Sequence, residues 1–74
     1  MPAPPAHQRI YEHLRGQIIA GEFTPPNDKL PTQRELAATF HCSLQPVKQA
    51  LQRLEFEGLI ESRQGVGAFA VARS

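Results

Sequence analysis

The sequence predicts a mainly α-helical domain that is closed by a small β-hairpin. Three stretches carry apolar residues three and four positions apart, which is the spacing of one face of an α-helix. After Gly58 the apolar residues recur instead at every second position, which indicates strands. The chain has 74 residues and therefore room for a single domain. A domain of this size buries only roughly 60% of the surface that its unfolded chain exposes.

The first helix is predicted over residues 7–21. Its apolar stripe comprises Ile10, Tyr11, Leu14, Ile18 and Ile19. Gly21 can adopt the left-handed conformation that ends a helix. The folded domain is expected to span residues 7–72, after a disordered leader at residues 1–6 that is rich in proline and alanine. Residues 73–74 would be a tail or the start of a linker.

A turn and a very short strand are predicted between the first and second helices. Residues 24–28 fit a type II turn, in which Pro26 and Asn27 occupy the two central positions. Lys29 and Leu30 are then expected to be extended, because a residue that precedes a proline disfavours helical angles.

The second helix is predicted over residues 33–40 and starts with a capping box. Thr32 would cap the helix, and Glu35 would reach back to the backbone of the capping residue. The side chains expected in the core are Leu36, Ala37 and Phe40. His41 and Cys42 link this helix to Ser43, the capping residue of the next helix. The two helices thus form a helix-turn-helix, with an unusual φ expected at His41.

The third helix, residues 44–57, is the element that the rest of the chain surrounds. Ser43 is predicted to cap it through its hydroxyl, Pro46 fits the first turn, and Gly58 ends it. One side is an apolar stripe of Val47, Ala50, Leu51 and Leu54. The opposite side carries Leu44, Gln45, Lys48, Gln49, Gln52 and Arg53. Such a face suits a helix that reads base edges in a major groove, and the alternative is an ordinary solvated face.

The hairpin is predicted from two extended runs, residues 59–63 and 68–72. Between them, Gly65 and Gly67 allow a tight tip whose backbone is exposed. Phe69 and Val71 share one face of the second strand and are expected to close over the first and third helices. The element order α, short β, α, α, β, β is that of a winged helix-turn-helix.

Three segments in this order resemble the DNA-binding domain of the GntR family of bacterial transcription regulators. They are residues 30–37 (LPTQRELA), residues 43–58, and residues 64–69 (QGVGAF), and the resemblance covers about residues 8–71. It implies a sequence-specific, double-stranded DNA-binding transcription regulator that acts as a repressor. Helix 44–57 would enter the major groove, and wing 63–68 would reach the adjacent minor groove or the backbone.

The resemblance and the polar face of the third helix together indicate a set of DNA-binding residues. Polar side chains near a helix start and glycines at a wing tip can approach phosphates and base edges. The expected set is Thr32, Arg34, Ser43, Leu44, Gln45, Lys48, Gln49, Gln52, Arg63, Gln64, Gly65 and Gly67.

The third helix departs from the family pattern at three of these positions. Leu44 and Lys48 stand where arginine is usual, and Gln49 stands where glutamate is usual. Leucine offers no hydrogen bond, only an apolar contact such as one with a thymine methyl group. Because one bidentate contact contributes about 1–3 kcal/mol of base discrimination, we expect a different target sequence, weaker specificity, or both.

The expected partner is a palindromic DNA operator, bound by a homodimer in the bacterial cytoplasm. A small-molecule effector would be involved only if a C-terminal domain that family members normally carry is missing from this chain. No membrane span is expected, because no apolar run approaches the ~20 residues needed.

No cofactor, metal or enzymatic activity is expected. The three histidines are His7, His13 and His41, and none is spaced with a nucleophile and an acid as a catalytic group requires. Cys42 is the only cysteine, and no second pair of ligands is spaced for zinc.

A second interpretation is a winged-helix module that binds other proteins and has lost DNA reading. The net charge is only +1, so the surface is not strongly basic. Leu44 and Phe56 would then be interface anchors, since both are placed outside the apolar stripe of the third helix.

Overall fold

Three helices and an antiparallel hairpin surround one apolar core, which confirms the predicted winged helix-turn-helix. The computed structural model describes residues 4–23, 28–63 and 65–71. The helices are α1 (Ala6–Ile19), α2 (Gln33–Thr39) and α3 (Leu44–Phe56), and the strands are β1 (Ile60–Arg63) and β2 (Gly67–Ala70). Residues 24–27 of the predicted type II turn and Gln64 lie outside the described residues.

The apolar stripe of α3 is the centre of the core. All four of its predicted members, Val47, Ala50, Leu51 and Leu54, are buried. The other buried side chains come from α1, from α2, from the hairpin and from the segment before α2, and they comprise Ile10, Tyr11, Leu14, Leu30, Leu36, Ile60 and Ala70. Every element of the fold therefore contributes a side chain to one contiguous cluster.

Helix α1 ends earlier than predicted, and one residue of its predicted stripe is exposed. The helix ends at Ile19, and Gly21 follows with a φ of 80°. Ile19 is 61% exposed. Ile19 lies nine residues after Ile10, and at 3.6 residues per turn this spacing places the two side chains on opposite sides of the helix.

The predicted capping box of α2 is present in full. The Thr32 hydroxyl accepts a hydrogen bond from the Glu35 backbone N–H, and the Glu35 carboxylate accepts one from the Thr32 N–H, both at 3.1 Å. The turn that follows has His41 at a φ of 54°, in the left-handed region, as expected.

The start of α3 differs from the prediction. Ser43 is the capping residue, with extended angles, but its side chain makes no capping hydrogen bond to the described residues. Capping side chains bond to the N–H of the second or third helical residue, and the third is Pro46, which has no N–H. The exposed Ser43 hydroxyl is therefore not used by the helix.

The hairpin is joined to the segment before α2 by backbone hydrogen bonds. The Leu30 N–H donates to the Ala68 carbonyl at 2.9 Å, and the Ala70 N–H donates to the Asp28 carbonyl at 2.8 Å. The predicted short first strand is thus reduced to one isolated bridge, between Lys29 and Phe69.

The predicted inward face of the second strand was wrong. Ala70 is buried and Ala68 packs against the core, whereas Phe69 lies on the other face of the strand. The Arg63 guanidinium lies over the Phe69 ring, 4.9 Å from its centroid. Small side chains on the inner face let the hairpin approach the helices closely, and the larger ring is accommodated outside.

Tyr11 ties α1 to the end of α3. Its hydroxyl donates a hydrogen bond to the Glu57 carboxylate, and the Arg53 guanidinium lies 4.1 Å from its ring centroid. Arg53 also lies 3.7 Å from a Glu57 oxygen. The hydrogen bond to Glu57, followed by burial, raises the pKa of Tyr11 above its ordinary value of 10.0.

The two capping residues should differ in their effect on stability. We expect Thr32→Ala to lower the free energy of unfolding by about 1 kcal/mol, because it removes a capping bond. Ser43→Ala should change it by less than about 0.5 kcal/mol, because it removes no such bond. Urea unfolding followed by circular dichroism measures both, and equal losses in the two variants would contradict this account.

Alkaline unfolding should report the bond between Tyr11 and Glu57. Because folding raises the pKa of Tyr11, its contribution is complete below pH 10.0 and is lost as the pH rises further. Tyr11→Phe should lose about 1 kcal/mol at neutral pH and lack this part of the alkaline decline.

The difference in pH dependence between the wild-type protein and Tyr11→Phe can be assigned to one group, because Tyr11 is the only tyrosine in the chain. Urea unfolding of both proteins from about pH 8 to about pH 11 gives the difference, in which all other titrating groups cancel. Phenylalanine keeps the ring beneath Arg53, so only the hydroxyl is tested. Parallel pH curves for the two proteins would show that the hydrogen bond does not form.

Candidate nucleic-acid interface

A groove of about 700 Å³ lies between the start of α2, one flank of α3 and the hairpin. Of the expected DNA-binding residues, those that line it are Thr32, Lys48, Gln52, Arg63, Gly65 and Gly67. Residues from three separate stretches of the chain thus face one open surface. Arg34, Ser43, Leu44, Gln45 and Gln49 are exposed but do not line this groove, and Gln64 lies outside the described residues.

The polar side of α3 is divided into two flanks. Lys48 and Gln52 are one turn apart and face the groove. Arg53 instead lies over Tyr11 and close to Glu57, on the flank that faces α1. Gln49 precedes Arg53 by one turn and lies on the same flank. Gln49 therefore does not face the groove that Lys48 and Gln52 line.

The first turn of α3 leaves polar groups free at the surface. Ser43, Leu44 and Gln45 are all exposed, and the Ser43 hydroxyl makes no capping bond to the described residues. The first backbone N–H groups of a helix lack intrahelical partners and carry a partial positive charge, which attracts phosphate. This end of α3 therefore offers backbone N–H groups, a hydroxyl and an amide.

The charge of the groove is positive on balance. Its cations are Lys29, Lys48 and Arg63, and its one carboxylate among the described residues is Glu55. Arg63 is held by the Phe69 ring and lies 3.8 Å from a Glu61 oxygen. Within the described part of the chain, neither Lys48 nor the exposed Arg34 forms an ion pair, so both remain available to an anionic ligand.

The tip of the hairpin requires its glycines. Gly65 and Gly67 have φ values of 78° and 133°, which side chains other than hydrogen disfavour. A Cβ atom on Gly67 would lie 3.2 Å from the Lys29 Cε atom, so the lysine stem runs alongside the tip. Between the glycines, Val66 is 55% exposed.

Lys29 and Val66 belong to this surface but were not among the residues predicted from the sequence. Lys29 is bridged to Phe69 of the hairpin. The sequence predicted that Lys29 is extended, but it did not identify the strand with which Lys29 pairs, because that strand lies about 40 residues away. Val66 could have been found, since a residue between two glycines at a hairpin tip must be presented outward.

Other kinds of site find no support in the described part of the chain. No group of three histidine, cysteine, aspartate or glutamate residues is placed to hold a metal ion there. Within the same residues, every helix is too short or too polar to cross a membrane.

Comparison with known proteins identifies the family. The profile described as "Bacterial regulatory proteins, gntR family" matches residues 6–70. The HTH-type transcriptional repressor NagR of Bacillus subtilis is 42% identical over 65 residues, which are 88% of this chain and 26% of that protein. The arabinose metabolism transcriptional repressor of Geobacillus stearothermophilus is 37% identical over 65 residues, which are 88% of this chain and 18% of that protein.

Solved structures share the fold over nearly the whole chain. The structure of AraR(DBD) in complex with an operator superposes with a TM-score of 0.85 at 31% identity, covering 93% of this chain and 82% of that one. A GntR family member from Pseudomonas syringae has a TM-score of 0.80 at 34% identity, covering 95% of this chain and 30% of that one. The chain spans about a quarter or less of the length of the curated relatives named above. The chain belongs to the gntR family of bacterial regulatory proteins.

Proposed function

We propose that this chain is the operator-binding domain of a bacterial transcriptional repressor. Lys48 carries the proposal, because it belongs both to an exposed flank of α3 and to the groove that α2 and the hairpin line. A ligand that contacts Lys48 along α3 is therefore also within reach of the hairpin tip. Double-stranded DNA suits such a surface, since its major groove admits a helix and its phosphates attract the cations beside it.

The relatives support this proposal. AraR(DBD) was solved in complex with an operator and has nearly the same fold as this chain. Two of the similar curated proteins are transcriptional repressors. Operator DNA in a bacterium lies in the cytoplasm, which is where we place the protein.

Each part of the surface has a proposed task. The first turns of α3, with Ser43, Leu44, Gln45 and Lys48, read the major groove. Thr32 and Arg34 at the start of α2 bind the flanking backbone or a base at the groove edge. The tip of the hairpin approaches the adjacent minor groove, where Gly65 and Gly67 let the backbone come close.

We further propose that two copies bind a palindromic operator. The cationic groups of one copy are few, and two-fold binding of two half-sites is how helix-turn-helix proteins obtain a longer recognition sequence. Any response to a small effector would belong to a further domain, such as the remaining length of the relatives could contain.

Selection of bound duplexes from a random pool is the direct experiment. We expect one enriched motif with two-fold symmetry and binding that weakens as salt is added. Absence of duplex binding even at low salt would refute the proposal. Enrichment of an asymmetric motif would be consistent with DNA binding but would refute the proposal that two copies bind a palindromic operator.

Removing the free cations should weaken binding in a salt-dependent way. For Lys48→Ala and Arg34→Ala, we expect lower affinity and a salt slope reduced by about one unit for each phosphate that the variant no longer binds. Fluorescence anisotropy titrations on the selected duplex at several salt concentrations measure both quantities.

Arg9→Ala is the matched control, because Arg9 is an exposed cation on α1 that does not line the groove. It removes the same charge from the protein without touching the proposed interface. An equal loss of affinity in Arg9→Ala and Lys48→Ala would mean that binding depends on net charge and not on this surface.

A protein partner is the second candidate, and one observation favours it. Phe56 is 92% exposed at the end of α3. Phe56→Asp should leave DNA affinity unchanged under the main proposal, apart from the added negative charge. If the wild-type protein binds no duplex and Phe56→Asp abolishes a protein complex, this second function is the correct one.

A further inference from the structure

An apolar side chain lies at the beginning of α3, outside the core. Leu44 is the first residue of α3 and is 40% exposed. Its neighbours Ser43 and Gln45 are exposed polar residues. The contribution of α3 to the core begins at Val47, and Leu44 is not part of the core cluster.

The position of Leu44 restricts what it can contact. Side chains on a helix lean toward the N-terminus, so the side chain of the first residue extends beyond the helix end. Lys48 follows one turn later on the same side of α3 and lines the groove. A duplex held by Lys48 therefore brings base edges toward Leu44.

Only one base offers Leu44 an apolar partner in the major groove. Guanine, adenine and cytosine present hydrogen-bonding groups there, which a leucine leaves without partners, whereas thymine also presents its C5-methyl group. We propose that Leu44 packs on the C5-methyl group of a thymine and thereby selects thymine at one position of each operator half-site. This inference rests on the proposed function.

The neighbouring amide agrees with this selection. Gln45 is exposed, and a glutamine amide matches the paired donor and acceptor of adenine in the major groove. Since thymine and adenine are partners in one base pair, Leu44 and Gln45 together favour a half-site that contains A·T pairs where α3 begins.

Replacing thymine by deoxyuridine removes only the methyl group and leaves the hydrogen-bonding edge intact. In the selected duplex, each thymine is replaced in turn at equivalent positions of both half-sites, and affinity is measured by anisotropy. We expect one position at which the wild-type protein loses about fourfold in affinity per half-site, as the burial of one methyl group implies. At that position Leu44→Ala should bind thymine and uracil duplexes equally.

Phe56→Ala is the matched control, since it truncates another exposed apolar residue of α3 and should keep the same methyl preference as the wild-type protein. Leu44 lies outside the core, and thermal unfolding of Leu44→Ala verifies its fold. Leu44→Gln provides a second variant that should also lose the methyl preference.

Two results would overturn the inference while leaving the proposed function intact. One is normal duplex binding with no thymine position sensitive to deoxyuridine. The other is a methyl preference that persists in Leu44→Ala. Absence of any duplex binding by the wild-type protein would overturn the proposed function and, with it, this inference.

Discussion

Burial of one stripe of α3 sets the position of every other element. The stripe extends from Val47 to Leu54, and α1, α2 and the hairpin all contribute side chains to the cluster around it. A helix buried along one side must leave the other side to water or to a ligand. Residues on the exposed side can therefore be substituted without disturbing the fold. Leu44 and Lys48 depart from the family pattern on this side, and the core remains intact.

The two flanks of α3 serve different purposes. On the side of α1, Arg53 and Glu57 contact Tyr11, which ties the end of α3 to α1. On the side of the hairpin, Lys48 and Gln52 have no such partners among the described residues and face an open groove. Protein contacts therefore occupy one flank of α3 and leave the other flank open.

Two residues at the beginning of α3 have opposite effects on helix capping. Serine is a favourable capping residue, but proline at the third helical position removes a donor that serine could have bonded. The Ser43 hydroxyl is left at the surface beside Leu44 and Gln45, where a ligand can bind it. The missing capping bond thus leaves one more polar group free at the start of α3.

Local sequence signals are sufficient to predict the helices, the hairpin and the apolar stripe of α3. These depend on local periodicity, on capping chemistry at Thr32 and on glycine conformation, all of which act within a few residues. The family pattern in residues 30–69 also predicted that the polar face of α3 binds DNA.

Which residues share a surface depends instead on contacts between elements that are distant in the chain. Lys29 lies beside the hairpin tip through its bridge to Phe69, and Arg53 lies outside the groove, over Tyr11 of α1. The inward face of β2 was likewise set by the register with Ile60 and not by the size of Phe69. Such contacts join residues far apart in the chain, and they exist only once the core has fixed the distances between elements.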